Sequence, residues 1–376
     1  MMNQIKEQKK NIDTKKDQSE ILLFVSTSKG GFIYYSNPER LVWEINGPHL
    51  LGAIIHHMVL DNRANKTILM AAKTKEHGVT IFRTTDFGKT WTPSAKPPNN
   101  KHREFAHIFR ITPGHHSEPG VWYAGTSPQG LFRSSDDGKT WDSIDGFNKD
   151  KILQALIKNQ SKELLKYQKL HSILTNPNDK NHIIIGMAHG GVFESKDYGE
   201  TWKSLNYNLS NPDSQNPYCL LNHPLNFNSL LQQNQAGIYQ MNLGEKKWNH
   251  IGETLDIGDK GFSLCVDPND EKYIWTFPME GTDIWSRICS NGQPAVYCTQ
   301  NYGKSWYRQD IGFPIWNAWF TVLSRCMVAD NLKNTGLYLG TTSGSVWLSS
   351  NKGNSWRQIL AHLPKIYSLE IGYINH

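Results

Sequence analysis

Apolar residues in this chain occur in short runs that alternate with polar residues and end at turn-forming residues. The clearest example is the succession LHSILTN (170–176), HIIIGMA (182–188), GVFESK (191–196) and TWKSLN (201–206). Runs of this length, rich in β-branched and aromatic residues, predict β-strands. The pattern therefore predicts an all-β chain built from units of four strands.

One turn sequence recurs five times, as RTTDFGKTW (83–91), RSSDDGKTW (133–141), ESKDYGETW (194–202), CTQNYGKSW (298–306) and LSSNKGNSW (348–356). The Asp or Asn side chain of such a turn can accept hydrogen bonds from nearby backbone N–H groups, and the glycine two residues later can adopt a positive φ. We expect each copy to form a β-hairpin turn. The tryptophan that follows should start the return strand and pack between sheets.

Two further segments keep the unit without the turn sequence, namely GFIYYSNPERLVWEI (31–45) and GIYQMNLGEKKWNHI (237–251). The late tryptophans of all seven units lie 46 to 61 residues apart, which suits four-stranded blades. The sequence predicts a seven-bladed β-propeller with antiparallel blades. The first unit has no inner strand before Ile21, so we expect LPKIYSLEIGYI (363–374) to complete the first blade from the C-terminus.

Three regions follow from this pattern. Residues 1–20 are polar and predict a disordered tail, and residues 21–376 predict a single propeller. Between the third and fourth units, residues of about 148–170 place apolar side chains at helical spacing with lysines opposite. We expect this insert to be a helix that sits over the ring as a lid or a docking surface.

Composition narrows the function and the location. The net charge of +6 is modest, and the lysines concentrate in the tail and the insert, so nucleic-acid binding is not indicated. No apolar run is long enough for a transmembrane segment, and the N-terminus lacks a secretory signal. The five cysteines show no metal-type spacing. We expect a cytoplasmic protein with reduced, buried thiols.

The repeated turn resembles the Asp-box, or bacterial neuraminidase repeat, of sialidases, sortilin-type receptors and bacterial proteins described as glycosyl hydrolases. The resemblance covers residues 21–374. It implies that the turn is structural and lies at the outer edge of each blade, away from the active centre. FRITPG (109–114) departs from the Arg-Ile-Pro element of sialidases, and no arginine triad can be assigned. The resemblance therefore carries the fold but no recognisable sialidase catalytic set.

A ligand site in a propeller is expected where the inner strands begin, because the loops between second and third strands open at the same face. Aligning the inner strands brings one residue of each blade to this mouth: His57, His107, His171, Tyr218, Phe262, Trp319 and Tyr367. His56 precedes His57, so that strand's register is uncertain by one residue. Gln129 and His189 lie in the polar loops of the same face. We expect a small polar molecule, a glycan or a protein partner to bind there.

Three other functions remain open. His57, His107 and His171 come from neighbouring blades and could hold a divalent metal such as zinc, or could instead bond to water and backbone carbonyls. Glu280 and Asp283 are candidate acid/base groups of a glycosidase-like hydrolase, or the solvated tip of a hairpin. The propeller could also serve as an assembly scaffold.

Overall fold

The computed structural model describes residues 20–63, 66–100, 104–151, 168–209, 214–280 and 287–374. These residues form seven four-stranded antiparallel sheets. Each sheet's inner strand contacts the inner strand of the next sheet, and the last contacts the first, so that the sheets are the blades of a closed ring. The predicted seven-bladed β-propeller is confirmed.

The strands are numbered in chain order, and each blade runs from an inner to an outer strand. Blade 2 contains β4 (Ile54–Asp61), β5 (Thr67–Thr74), β6 (Gly78–Thr84) and β7 (Thr92–Pro93). Blade 3 contains β8 (His107–Pro113), β9 (Trp122–Ser127), β10 (Leu131–Ser134) and β11 (Asp142–Ser143). Blade 4 contains β12 (Lys169–Thr175), β13 (Ile183–Ala188), β14 (Gly191–Ser195) and β15 (Lys203–Ser204).

The later blades repeat this order. Blade 5 contains β16 (Cys219–His223), β17 (Asn226–Asn234), β18 (Gly237–Asn242) and β19 (Asn249–His250). Blade 6 contains β20 (Gly261–Asp267), β21 (Asp270–Pro278), β22 (Val296–Thr299) and β23 (Tyr307–Gln309). Blade 7 contains β24 (Met327–Ala329), β25 (Leu337–Gly340), β26 (Val346–Ser349) and β27 (Arg357–Leu360).

Blade 1 combines the two ends of the chain. It contains β28 (Ile366–Ile374) as inner strand, then β1 (Glu20–Thr27), β2 (Gly30–Ser36) and β3 (Glu44–His49). β28 pairs antiparallel with β1 along its length, from Glu20 opposite Ile374 to Thr27 opposite Ile366. The predicted closure by the C-terminal strand is confirmed, and it pairs an edge of blade 1 that would otherwise be open.

The repeated turns have the geometry that their residues predict. In blade 3, Asp136 Oδ1 accepts a hydrogen bond from the Thr140 backbone N–H at 2.9 Å, and Oδ2 accepts one from the Thr140 hydroxyl at 2.6 Å. Gly138 has a φ of 82°, a conformation that glycine adopts without steric cost. These turns join the third and fourth strands, and therefore lie on the face opposite the inner-strand starts.

Apolar side chains between neighbouring blades form the core. Between blades 2 and 3, for example, Leu69 and Ile81 pack with Trp122, Phe132 and Trp141. Trp141 follows the repeated turn and is buried, as expected for a side chain that packs between sheets. Each such large side chain contributes roughly 1.5–3 kcal/mol through burial.

Parts of the predicted organisation lie outside the described residues. These include the tail, apart from Glu20, and residues 152–167 of the predicted insert. Before that gap, a short helix, α1 (Asp145–Asn148), follows blade 3. Among the described residues no helix is long and apolar enough to cross a membrane. All five cysteines are free and buried.

Candidate ligand-binding site

A cavity of about 540 Å³ opens on the axis of the ring, at the face where the inner strands begin. We call it the mouth cavity. Inner-strand starts and the segments before them contribute His56, His107, Phe109, Lys169, Tyr218, Phe262, Thr321, Leu323, Ser324, Lys365 and Tyr367, while loops between second and third strands contribute Ser127, Ala188, His189, Arg287 and Thr342. The cavity therefore lies where the strand order predicted a ligand site.

The lining is cationic and aromatic. It contains Lys169, Arg287 and Lys365 and, among the described residues, no Asp or Glu. Each cation lies beside an aromatic ring. Lys169 Nζ is 4.5 Å from the centre of Phe109, Lys365 Nζ is 5.4 Å from Tyr367, and Arg287 Cζ is 5.6 Å from Phe262. The rings stabilise the cations without neutralising their charge.

Arg287 is buried, yet two of its guanidinium nitrogens have no hydrogen-bond partner among the described residues. Arg287 directly precedes Ile288, which forms an isolated β-bridge with Glu280. The Arg287 carbonyl accepts a 2.6 Å hydrogen bond from the Thr321 hydroxyl. In the described part of the chain, no group hydrogen-bonds Nε or Nη1. A buried donor without a partner costs about 1–3 kcal/mol, and more when charged, so these atoms favour an anionic acceptor.

Two neutral histidines complete the wall. The rings of His56 and His107 lie 4.0 Å apart, and Tyr367 stacks on His56 at 4.8 Å. Burial, together with Lys73 and Lys169, lowers the pKa of His107 to about 4. Burial and the neighbouring His107 also lower the pKa of His56 well below its usual value. Both rings are thus neutral near pH 7 and can hydrogen-bond without adding charge.

The aligned register is off by one residue in blade 2. β4 carries a bulge, because Ile55 and His57 pair with consecutive residues of β5 and His56 has no partner between them. His56 therefore lines the mouth cavity, whereas His57 faces the axial channel. The alternation of a regular strand does not reveal such a bulge.

Inside the channel, His57, Arg110, Arg325 and Glu370 form a group that we call the channel cluster. His57 Nε2 lies 2.5 Å from Arg110 Nη1 and 3.0 Å from Glu370 Oε2, and Arg325 Nη2 lies 3.6 Å from the same carboxylate. Burial and the Arg110 charge lower the pKa of His57 to about 3. Burial would raise the pKa of Glu370, but Arg110, His57 and Arg325 together outweigh burial and hold that pKa far below its usual range.

The histidines predicted to bind metal do not converge. His171 is buried beside the mouth cavity, where Nε2 donates a 2.7 Å hydrogen bond to the Pro217 carbonyl and burial lowers its pKa to about 3. His57 belongs to the channel cluster, and only His107 lines the cavity. No group of three or more His, Cys, Asp or Glu side chains in the described part of the chain is arranged to hold a metal.

The other predicted binding residues divide into two groups. Tyr218, Phe262, Tyr367 and His189 line the mouth cavity. Gln129 lies behind the wall, where its side-chain amide donates to the Ala188 carbonyl at 3.2 Å. Trp319 lies outside the cavity and is 56% exposed. It misses the predicted position because blade 7 begins only at Met327, after an irregular segment from which Thr321 and Leu323 reach the cavity instead.

Of the two candidate catalytic carboxylates, Glu280 is described, and it does not face the mouth cavity. Glu280 is exposed, does not line the cavity, and accepts hydrogen bonds from the Ser290 hydroxyl at 3.1 Å and the Asn291 N–H at 3.0 Å. These bonds are typical of a carboxylate that orders its own loop. Asp283 lies outside the described residues.

Alignment of the inner strands did not identify the three cations of the mouth cavity. Lys169 and Lys365 each lie two residues before a ring position that was predicted, respectively His171 and Tyr367. Side chains two residues apart on a regular strand share a face, so extending each inner strand toward its start suggests both lysines as candidates. The pairing register is irregular at His171 in β12 and at Tyr367 in β28, however, and alternation does not reveal such bulges. Arg287 lies in an irregular loop and had no such signal.

Comparisons with known proteins support the fold. No family model matches the chain, and no curated protein matches it by sequence. Among solved structures, the GH74 enzyme of Niastella koreensis superimposes with a TM-score of 0.62 at 15% identity, over 92% of this chain and 52% of that one. This chain therefore spans about half the length of that enzyme.

Two further structures are close to this chain in length. YCF48 bound to D1 peptide superimposes with a TM-score of 0.54 at 16% identity, over 82% of this chain and 85% of that one. A Bacteroides fragilis protein described as a candidate 6-phosphogluconolactonase superimposes with a TM-score of 0.57 at 13% identity, over 96% and 99% of the two chains. At these identities the similarity shows the propeller fold alone, since one fold hosts many functions.

Proposed function

We propose that this chain is a binding propeller whose mouth cavity takes an anionic ligand. The observation that carries the proposal is the set of three cations, Lys169, Arg287 and Lys365, around a cavity whose described lining holds no carboxylate. The ligand is a small molecule, a glycan or a segment of a protein that presents a carboxylate, sulfate or phosphate. The Asp-box resemblance agrees with a binding role, because it extends to sortilin-type receptors as well as to sialidases.

The energetics favour an anion over a neutral polar ligand. Hydrogen bonds to charged groups contribute about 1.5–3 kcal/mol, roughly twice the value for neutral pairs. Arg287 offers two buried donors that have no other acceptor in the described part of the chain. Phe109, Phe262 and Tyr367 add apolar surface beside the cations, so an anion attached to an aromatic or aliphatic group fits best.

The glycosidase-like alternative has less support. Such hydrolysis requires two carboxyl groups on opposite sides of the scissile bond, and Glu280 does not line the cavity. The alternative predicts that Glu280→Gln abolishes glycoside turnover. The binding proposal predicts no turnover by the wild type on aryl glycosides, and unchanged anion affinity in that variant.

Binding of a fluorescent anion tests the proposal. The probe is 8-anilinonaphthalene-1-sulfonate, and its uncharged control is N-phenyl-1-naphthylamine. We expect the wild type to prefer the sulfonate, and Arg287→Gln to weaken sulfonate binding by roughly tenfold or more, because a charge-assisted hydrogen bond is lost. Lys169→Gln and Lys365→Gln should act in the same direction.

The matched control is Lys89→Gln, which removes the same charge from an exposed turn on the opposite face. It should leave sulfonate affinity unchanged. Equal affinity for the charged and uncharged probes, or equal losses in Arg287→Gln and Lys89→Gln, would contradict an anion site at the mouth cavity.

A further inference from the structure

Large apolar side chains are exposed in the segment that connects blades 6 and 7. Within residues 310–319, which we call the apolar loop, Ile311, Ile315 and Trp316 are 69%, 77% and 71% exposed. Trp319, also exposed, follows them. Single exposed apolar residues are common, but four within ten residues, two of them tryptophans, indicate an interaction surface.

The apolar loop is continuous with the wall of the mouth cavity. The end of the loop is hydrogen-bonded to residues 287–292, since the Ala318 N–H donates to the Gly292 carbonyl at 3.0 Å. Just beyond the loop, the Thr321 hydroxyl donates to the Arg287 carbonyl at 2.6 Å. The Trp319 indole lies over Gly292, where an added Cβ would be 2.8 Å from the ring. One hydrogen-bonded unit thus carries a buried cation and exposed indoles.

We infer that the mouth face binds an extended acidic segment of a partner protein, with a carboxylate at Arg287 in the mouth cavity and neighbouring apolar side chains on Ile315 and Trp316. This inference rests on the proposed anion site and identifies its occupant. The partner's charge is set by complementarity with Lys169, Arg287 and Lys365, and its apolar residues by the exposed loop. Anchors in pockets combined with aromatic contacts are the usual basis of such recognition.

A polypeptide segment fits these two features better than a compact metabolite does. An extended segment can place one side chain in the mouth cavity and others along the apolar loop, because hydrogen bonds from Ala318 to Gly292 and from Thr321 to Arg287 join the loop to the cavity wall. A small anion would be enclosed by the cavity of about 540 Å³ and would leave Trp316 uncovered. The exposed loop therefore distinguishes the two kinds of ligand.

Selection from a random dodecapeptide library displayed on phage tests the inference. The library is selected on the full-length wild type, and affinities of the enriched peptides are measured for three variants. We expect enriched peptides to combine Asp or Glu with Leu, Ile or aromatic residues. Arg287→Gln and the double variant Ile315→Ser/Trp316→Ser should each lower the affinity for these peptides by roughly tenfold or more.

The matched control is Leu41→Ser/Val42→Ser, which removes two exposed apolar side chains from the hairpin between β2 and β3, on the opposite face. It should leave peptide affinity unchanged. Sulfonate probe binding should be weakened in Arg287→Gln and unchanged in Ile315→Ser/Trp316→Ser, and the unchanged binding would also show that the double variant is folded.

Two sets of outcomes separate the two proposals. If the sulfonate binds at Arg287 but the selection enriches no acidic peptide, or enriches peptides that bind Ile315→Ser/Trp316→Ser as well as the wild type, the partner-segment inference is wrong and the anion site stands. Binding of the apolar loop to phosphatidylglycerol vesicles, without peptide enrichment, would likewise overturn it. If Arg287→Gln leaves sulfonate binding unchanged, the anion site itself is wrong.

Discussion

Glu370 Oε2 on the closing strand lies 3.0 Å from Arg110 Nη1 on the inner strand of blade 3. The same carboxylate is 3.0 Å from His57 in blade 2 and 3.6 Å from Arg325, just before blade 7. The C-terminal strand is therefore held in two ways, by backbone pairing with β1 and by charges that converge on Glu370 from three other blades. Glu370 therefore links the closing strand to the electrostatics of the channel.

We expect Glu370→Gln to destabilise the propeller by roughly 3 kcal/mol, because removing one partner of a buried ion pair leaves the guanidinium charges of Arg110 and Arg325 uncompensated. The measurement is the free energy of unfolding in urea. Glu44→Gln, an exposed change in the same blade, serves as the control and should lie within about 0.5 kcal/mol of the wild type. A similar small effect in Glu370→Gln would show that backbone pairing alone closes the ring.

Acid should weaken the fold through the same carboxylate. The pKa of Glu370 is lowered in the folded state from its ordinary value of 4.5, so its stabilisation is fully present above pH 4.5 and is lost as the pH falls below that value. Glu370→Gln removes this contribution. The difference in unfolding free energy between wild type and Glu370→Gln should therefore shrink between about pH 5 and pH 3, and a constant difference would contradict the assignment.

Two histidines, buried His171 and partly exposed His250, should have opposite effects on pH dependence. Burial lowers the pKa of His171 to about 3, so the unfolded chain binds the extra proton between about pH 3 and 6.5, and stability falls as pH falls through that range. The hydrogen bond to Asp259 raises the pKa of His250 above 6.5. Its stabilisation is complete below pH 6.5 and is lost as pH rises through the folded-state value.

Urea unfolding between pH 4 and pH 8 measures both effects. Between about pH 4 and 6 the unfolded wild type binds about one more proton than the folded protein at His171, so its unfolding free energy rises by up to roughly 1.4 kcal/mol per pH unit. His171→Gln should remove this part of the slope. His250→Gln should instead remove the decrease in stability above pH 6.5. The same change of slope in both variants would be inconsistent with the environments of the two rings.

The fold was predictable because its signals are local and repeated. The turn around Asp136 needs only residues 134–140 to form its hydrogen bonds, and the same chemistry recurs around Asp197 and Asn301. The missing inner strand of the first unit and the spare strand at the C-terminus together predicted closure. Each of these inferences depends on short-range pattern and on counting, which a single sequence provides.

The site was less predictable because its residues depend on irregular backbone. The bulge at His56 exchanges the roles of two adjacent histidines, and the irregular segment before blade 7 leaves Trp319 outside the lining of the mouth cavity. Arg287 reaches the cavity from a loop whose path has no periodicity. Polar character could be assigned to the mouth from the sequence, but the cationic lining required the positions of Lys169, Arg287 and Lys365.

The repeated turns should contribute to the stability of the fold and not to ligand binding. Asp136→Ala should cost about 1–2 kcal/mol of unfolding free energy, since it removes acceptors for the Thr140 N–H and hydroxyl. Asp136→Asn should be close to neutral, because Asn301 and Asn351 accept the equivalent backbone hydrogen bonds in blades 6 and 7. Thermal unfolding compares the variants. Loss of sulfonate binding in folded Asp136→Ala would contradict a purely structural turn on the opposite face.

Lys169 should make anion binding depend on pH. Burial lowers the pKa of its ammonium group from 10.5 to about 8, and no acidic side chain in the described lining of the cavity compensates for the burial. Between pH 7 and pH 9 the free protein therefore loses one of the three cations at the mouth. A bound anion favours the protonated form, so the affinity for 8-anilinonaphthalene-1-sulfonate should fall by roughly three- to tenfold over this range.

Lys169→Arg separates this titration from a general effect of alkaline pH, because a guanidinium stays charged throughout the range. Its sulfonate affinity should vary little between pH 7 and pH 9, whereas the matched variant Lys365→Arg should keep the wild-type dependence. Salt should weaken binding in all three proteins, since the attraction is between charges. If Lys169→Arg showed the same decrease as the wild type, the pH dependence would have to come from a group other than Lys169.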